Sequence, residues 1–141
     1  ASYGMGTALL EVRPEGGGLA VDKIWKKLQM KTKFSSVCIK DGFAYGLDEG
    51  RLACVEVATG KRMWRGTNYG YGQNLLLGDL LVVQSERGYV ALVKADPEKF
   101  EEVARLDALD LKTWNTPTLA GEYLLVRNDR EAACFKLKLA D

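Results

Sequence analysis

Short apolar runs alternate with glycine-containing turns along most of the chain. In the clearest stretch, from Gly42 to Gly66 and its upstream flank, they predict strands over 36–40, 43–48, 51–58 and 61–65. The intervening turns are Asp-Gly, Glu-Gly and Thr-Gly, in which glycine permits the positive φ of tight hairpins. Because these strands are apolar on both sides, the pattern favours sheets that are covered on both faces.

The same pattern returns twice at a nearly constant spacing. The segment GRLACV at 50–55 is matched by GYVALV at 88–93 and by REAACF at 130–135, and TALLEV at 7–12 looks like part of an incomplete copy. A repeat of about 40 residues with four short strands is typical of a β-propeller blade. The sequence therefore predicts an all-β fold, a partial β-propeller of about three to four four-stranded antiparallel blades.

The repeats divide the chain into one propeller segment with unequal blades. We expect a partial blade over 1–30, blades over 31–68 and 69–112, and an incomplete last blade over 113–141, with two, four, four and three strands. Such a segment leaves apolar blade faces open, and open faces are association surfaces. The expected partners of these faces are the remaining blades of the same propeller or, in a homo-oligomer, a second copy.

Two stretches also carry helical signals. Residues 96–103 begin like a capped helix, with Pro97 at the first helical position, and residues 22–28 have helical spacing. Both stretches fall where the repeat requires a fourth strand, and Trp25 takes the place that Trp64 has in the best copy. The repeat therefore favours a turn over 96–99 followed by a strand over 100–106.

Composition narrows the possible functions. The 141 residues include 20 Lys and Arg and 19 Asp and Glu, so the strong basic bias of a nucleic-acid binder is missing. No run approaches the roughly 20 apolar residues of a membrane span. Three widely spaced cysteines predict buried free thiols rather than a disulfide framework or a zinc site. With no histidine present, we assign no catalytic residue and no metal site.

The segment CVEVATGKRMW resembles the PQQ-like propeller repeat, whose blades carry Ala-x-Asp-x-x-Thr-Gly-x-x-x-Trp. Cys54 and Glu56 stand for the alanine and the aspartate, and Thr59, Gly60 and Trp64 match outright. Most of the chain is similar to the C-terminal half of bacterial PQQ-binding-like propeller proteins, a resemblance that implies an exported or periplasmic location. It also implies structural roles for the motif, with the tryptophan between blades, Thr-Gly in the hairpin and the acid bonded locally.

Within this family, the quinoprotein dehydrogenases hold their quinone with adjacent cysteines and a calcium ion. Here Cys38, Cys54 and Cys134 are far apart, and an Asp-x-Asn-x-Asp calcium loop is missing from the sequence. We therefore expect no cofactor. The alternative is a fragment of a PQQ-dependent oxidoreductase whose quinone and calcium residues lie in other blades.

Propeller ligands usually bind at the channel mouth, where the loops entering the innermost strands converge. Three copies each bring an aromatic and small polar residues to these loops, which is the composition of a pocket for a polar ligand or an extended peptide. The predicted ligand-binding residues are Phe34, Ser35, Ser36, Tyr71, Gln73, Asn74, Trp114, Asn115 and Thr116. Equally, such residues terminate strands and satisfy loop backbone groups.

The sequence thus predicts a non-catalytic scaffold or recognition module that binds a protein, a peptide or another extended polymer at the channel mouth. A carbohydrate ligand is a third possibility, because Trp114 and Tyr71 offer rings on which sugars could stack.

Overall fold

A computed structural model of the protein describes residue 1 and residues 3–138. Within these residues the chain forms thirteen β-strands in four antiparallel sheets that follow one another in chain order, and no helix. The first sheet contains β1 (Thr7–Glu15) and β2 (Gly18–Lys27), and the second contains β3 (Cys38–Lys40), β4 (Phe43–Asp48), β5 (Arg51–Glu56) and β6 (Arg62–Asn68). The third contains β7 (Gln73–Leu77), β8 (Leu80–Gln84), β9 (Val90–Lys94) and β10 (Glu102–Leu106), and the fourth contains β11 (Thr118–Ala120), β12 (Tyr123–Arg127) and β13 (Ala132–Lys136).

Tight turns set the register of the second sheet. Asp41 and Gly42 have φ of 48° and 81°, and Glu49 and Gly50 have φ of 49° and 84°. Two consecutive positive φ values are the mark of the type I′ turn, whose twist matches that of the flanking strands. The turns therefore pair β3 with β4 and β4 with β5 along their lengths.

The second and third sheets pack face to face and bury the largest apolar cluster. The buried side chains of this cluster are at most 1% exposed: Tyr45, Leu47, Leu52 and Cys54 from the second sheet, Leu81, Val83, Ala91 and Val93 from the third, and Tyr69 from the loop between them. The central strands β5 and β8 are buried on both faces. Their continuous apolar runs are explained by this double cover, as the sequence predicts.

A tryptophan contact recurs between successive sheets. The Trp64 indole donates to the Asp96 carbonyl oxygen at 2.8 Å, and the Trp25 indole donates to the Val57 carbonyl oxygen at 2.9 Å, each across 32 residues of chain. The Trp25 ring lies against Gly60, where an added Cβ would come within 2.9 Å of a ring carbon. Gly60 also has φ of +67°, so both its conformation and this close approach favour glycine.

The contact between the third and fourth sheets lacks this tryptophan. Ala104 pairs with Leu92 as Trp64 pairs with Cys54, so an alanine occupies the equivalent position. A cavity of about 90 Å³ lies here, between the two sheets. The fourth sheet instead packs through a cluster that includes Val82, Val90, Leu109, Leu124 and Val126.

The first sheet is a long hairpin that packs on the second sheet only near its base. Leu9 and Trp25 pair across the hairpin at this base and are partly buried. Beyond a register shift at Leu10 the hairpin extends into solvent. The large apolar residues of its outer part include Leu10, Val12, Leu19 and Val21, each more than 50% exposed.

Several predicted boundaries differ from the observed strands. β3 begins at Cys38 rather than 36, β5 ends at Glu56 rather than 58, and β6 continues to Asn68. β10 begins at Glu102 rather than 100, because Phe100 packs its ring on Gly66 before the strand starts. The stretches with helical signals adopt the extended and turn conformations that the repeat predicts.

The expectation of three buried thiols holds for Cys54, only in part for Cys38, and is wrong for Cys134. Cys54 is buried and Cys38 is half-buried, but Cys134 is exposed. Cys134 lies on the outer face of the fourth sheet, and none of the described residues forms a further sheet over that face. Repeat position alone therefore does not decide burial at the last sheet.

If the sheets are held together by contacts such as that of Trp64, its substitution should lower the free energy of unfolding. The ring lies 5.9 Å from Tyr45 and 5.7 Å from Phe100, so Trp64→Ala removes contacts on both sides of a sheet interface. We expect a loss of about 3 kcal/mol in the free energy of unfolding, measured by urea titration, and a smaller loss for Trp64→Phe. Met63→Ala, on the exposed neighbouring position, should change it by less than about 0.5 kcal/mol. Equal midpoints for Trp64→Ala and Met63→Ala would contradict this account.

Candidate functional site

The loops that enter β3, β7 and β11 meet at one end of the stacked sheets. Phe34 and Trp114, from the loops before β3 and β11, make an edge-to-face contact with ring centroids 5.6 Å apart. Between them, the Gln73 side-chain amide lies 3.3 Å from the Trp114 carbonyl oxygen and 3.5 Å from that of Phe34. One buried side chain of the third sheet thus links loops of the second and fourth sheets. We call this region the mouth.

Glu86 fixes two aromatic residues of the mouth. It lies between β8 and β9, and its carboxylate accepts hydrogen bonds from the Tyr71 backbone N–H at 3.0 Å and from the Trp114 indole at 2.8 Å. Partial burial acts to raise the pKa of Glu86, but these hydrogen bonds outweigh it and hold the pKa below its ordinary value. Glu86 is therefore a positioning group that is ionised at neutral pH.

Two lysines stack on aromatic rings at the mouth. The Lys33 ammonium lies 3.4 Å from the centroid of Tyr71 and 4.9 Å from that of Tyr3, and the Lys112 ammonium lies 4.9 Å from that of Trp114. The interaction with the Tyr71 hydroxyl raises the pKa of Lys33. Cations held in this way add positive charge beside an exposed aromatic surface.

The predicted site residues do not all lie on this surface. Phe34, Tyr71 and Trp114 form it, whereas Gln73 and Ser35 are buried, and the Ser35 hydroxyl donates to the Gly72 carbonyl oxygen at 2.6 Å. Ser35 therefore joins the loops that precede β3 and β7. Its neighbour, Ser36, is exposed.

Three further predicted residues lie beside the mouth or below it. Asn74 is 2% exposed, and its amide donates to the Cys38 thiol at 3.1 Å between two inner strands. The Asn115 amide lies against Arg127, with its nitrogen 3.3 Å from the carbonyl oxygen and its oxygen 3.2 Å from the guanidinium. Thr116 lines a hollow on the outer face of the fourth sheet.

Sequence reasoning missed Glu86 and Lys112. Glu86 occurs in the segment SERG, whose composition is typical of an ordinary turn between strands. Lys112 follows an irregular stretch. No local pattern marks either residue as a partner of Trp114, because that contact depends on how the third and fourth sheets stack. Lys33 directly precedes the predicted loop residues, and its position in a basic stretch is the sequence feature that indicates a cation at the mouth.

The mouth offers stacking surfaces, two cations and a buried amide. Phe34 is 52% exposed and Trp114 is 49% exposed, an exposure that suits contact with a ligand. The Glu86 carboxylate already accepts two hydrogen bonds, which disfavours a role as a general base. Among the described residues, no group of three or more acidic or cysteine side chains is arranged to hold a metal ion. That part of the chain also contains no helix long and apolar enough to cross a bilayer.

No protein-family model and no curated protein sequence matches the chain. The fold is similar to that of the computationally designed protein Ika4, with 9% identity and a TM-score of 0.59 over 86% of this chain and 74% of that one. It is also similar to BamB from Moraxella catarrhalis, with 15% identity and a TM-score of 0.56 over 98% of this chain and 46% of that one.

BamB is a β-propeller, and this chain spans less than half of its length. At these identities the likeness concerns the fold alone. Together with the four successive antiparallel sheets, it confirms the predicted class. The chain is all-β and forms a partial β-propeller.

The role of Glu86 predicts a titration that NMR can follow. The Trp114 indole N–H resonance should hold its position as the pH falls from 7, then shift with a midpoint below 4.5, the ordinary pKa of a glutamate. The midpoint is expected below 4.5 because a depressed pKa keeps the Glu86 carboxylate charged, and its hydrogen bonds intact, until the pH falls to the pKa that Glu86 has in the folded protein.

The Trp25 indole, bonded to a backbone carbonyl, serves as the internal control, and Glu86→Gln should abolish the shift. A midpoint at or above 4.5, or an unchanged titration in Glu86→Gln, would contradict the assigned hydrogen bond.

Proposed function

We propose that the chain is a non-catalytic scaffold or recognition module that binds a protein segment or another extended polymer at the mouth. The observation that carries this proposal is the exposed pair Phe34 and Trp114, contributed by different sheets and held in contact. Exposed aromatic side chains on a rigid support are the groups that contribute most to protein recognition.

Hydrogen-bond contacts support the two rings. Gln73 fixes the backbone of both loops, and Glu86 fixes the Trp114 indole. Preorganised side chains lose little conformational entropy on binding. A smaller part of the favourable contact energy is therefore offset by the cost of ordering them. The mouth therefore has the properties of a binding surface before any ligand arrives.

The alternative, a fragment of a PQQ-dependent oxidoreductase, receives less support. The donor groups of the mouth suit calcium poorly, because Glu86 is already bonded to two N–H groups and Lys33 and Lys112 lie nearby. The three cysteines lie on strands of two different sheets. We accordingly propose no cofactor for these blades.

The outer face of the fourth sheet supports a second part of the proposal. A hollow of about 330 Å³ lies there, lined by residues that include Leu125, Arg127 and Cys134. The equivalent face of the second sheet is covered by the third sheet, through Tyr45, Cys54 and their neighbours. We propose that further blades of the same propeller cover this face; the expected homo-oligomer would use it as well.

Selection from a random linear peptide library, displayed and panned against the 141-residue chain, tests binding at the mouth. We expect selected peptides to bind at least tenfold more weakly to Trp114→Ala and to Phe34→Ala, which is about 1.4 kcal/mol or more for each ring. Tyr123→Ala, an exposed aromatic of the fourth sheet's outer face, is the matched control and should bind normally. Peptides that bind all variants equally, or a selection that yields no binder, would contradict the proposal.

A further inference from the structure

Three arginines lie close together on the side of the second sheet that faces the first. Arg65 and Arg62, on the edge strand β6, pair with Ala53 and Val55 of β5, and Arg51 lies two residues before Ala53. Val55 lines the hollow between the first and second sheets. Because cross-strand partners and alternate residues share a sheet face, all three arginines lie on this side. We call them the arginine cluster.

One buried carboxylate lies at the centre of the arginine cluster. The side chain of Asp48 is 3% exposed, and its Oδ2 accepts a hydrogen bond from Arg62 at 3.0 Å and lies 3.7 Å from the Arg65 Nε. Its Oδ1 accepts the Lys31 backbone N–H at 3.0 Å. A single carboxylate balances only one guanidinium charge, so the cluster keeps a positive excess.

The guanidinium groups also keep donors that a ligand can use. Within the described residues each guanidinium forms one hydrogen bond, and the acceptors are the Asp48 carboxylate, the Asp48 carbonyl oxygen and the Gly66 carbonyl oxygen. A guanidinium has several N–H donors in a planar fork that matches the oxygen atoms of a carboxylate or phosphate. The side chains of Arg62 and Arg65 are each 37% exposed, and Arg51 is exposed. The remaining donors are therefore accessible.

The equivalent positions of the third sheet are balanced in charge. The pairing register identifies the residues that correspond to the arginine cluster, which are Tyr89, Glu102 and Arg105. Glu102 accepts two hydrogen bonds from Arg105, at 2.9 and 3.1 Å, and the Arg105 guanidinium lies 4.2 Å from the centroid of the Tyr89 ring. One guanidinium is thus matched by one carboxylate. Since the two sheets share the same fold, the fold itself does not require the excess charge of the cluster.

Two lysines connect the arginine cluster with the mouth. The Lys31 ammonium forms an ion pair with Glu49 at 3.0 Å, and Lys33 belongs to the mouth. Lys31 lowers the pKa of Glu49, and Arg65 and Lys33 lower it further, so Glu49 is within electrostatic reach of both regions. With Asp48 included, three arginines and two lysines stand against two carboxylates. Such an excess attracts an acidic ligand.

We propose that the arginine cluster, together with Lys33, binds the carboxylates of an acidic protein segment. The inference rests on the proposed function, because the same extended segment would contact the mouth with its apolar side chains and the cluster with its acidic ones. Guanidinium groups bind carboxylates through paired hydrogen bonds, and complementary charge raises the rate of association. The near-neutral charge of the whole chain disfavours a nucleic acid as the ligand.

An octaglutamate peptide is the probe, followed by NMR through the arginine Nε–H resonances of the 141-residue chain. We expect a titration at low ionic strength to shift the resonances of Arg51, Arg62 and Arg65. The resonance of Arg105 should stay in place, because its guanidinium is already paired with Glu102. Added salt should reverse the shifts, and octalysine should cause none.

Arg51→Gln is the variant of choice, because Arg51 bonds a backbone carbonyl and its removal leaves Asp48 with both of its other arginines. We expect it to weaken octaglutamate binding at least about threefold. Arg105→Gln, which removes the same charge from the corresponding strand pair of the third sheet, is the matched control and should bind normally. Trp114→Ala should also bind normally, since the probe has no apolar side chain.

The proposal is overturned if the three resonances do not move, or if Arg51→Gln and Arg105→Gln weaken binding equally. It is also overturned if an oligothymidylate of equal charge shifts the same resonances at lower concentration, because the ligand would then be a nucleic acid. Failure here is distinct from failure at the mouth. Library peptides that require Trp114 would uphold the mouth without the cluster, and octaglutamate binding without any selected peptide would uphold the cluster without the mouth.

Discussion

The structure depends on the face-to-face stacking of antiparallel sheets. No single sheet of three or four short strands can bury both of its faces, so each requires a neighbour. The contact between the second and third sheets meets this requirement most fully, with nine side chains, eight from strands and Tyr69 from a loop, that are at most 1% exposed. Burial of this kind stabilises by about 25 cal/mol per Å² of apolar surface, and it fixes the position of every inner strand.

The mouth is a consequence of that stacking. Once the inner strands β3, β7 and β11 are fixed, the loops that precede them end close together. Gln73 then reaches the backbone of both neighbouring loops. The buried amide of Gln84 adds support from below, because it donates to the Gly88 carbonyl oxygen at 3.1 Å and so braces the turn that carries Glu86.

Much of the fold could be predicted because its determinants are local and repeat. Glycine turns and apolar runs mark each strand, and their recurrence indicates blades. The aromatic residues of the mouth were also within reach, since Phe34, Tyr71 and Trp114 occupy the same place in successive copies. What could not be predicted depends on partners distant in sequence, such as the bond from Trp114 to Glu86 across 28 residues. The exposure of Cys134 could not be predicted for a similar reason, because it depends on whether another sheet covers the outer face of the fourth sheet.

Hydrogen exchange of backbone amides, followed residue by residue, tests the central claim that stacking stabilises this chain. The account predicts the slowest exchange in β5, β8 and β9, which are covered by neighbouring sheets, and fast exchange in the outer part of the β1–β2 hairpin, which is exposed on both faces. Uniform protection across all strands, or slowest exchange in the hairpin, would contradict it.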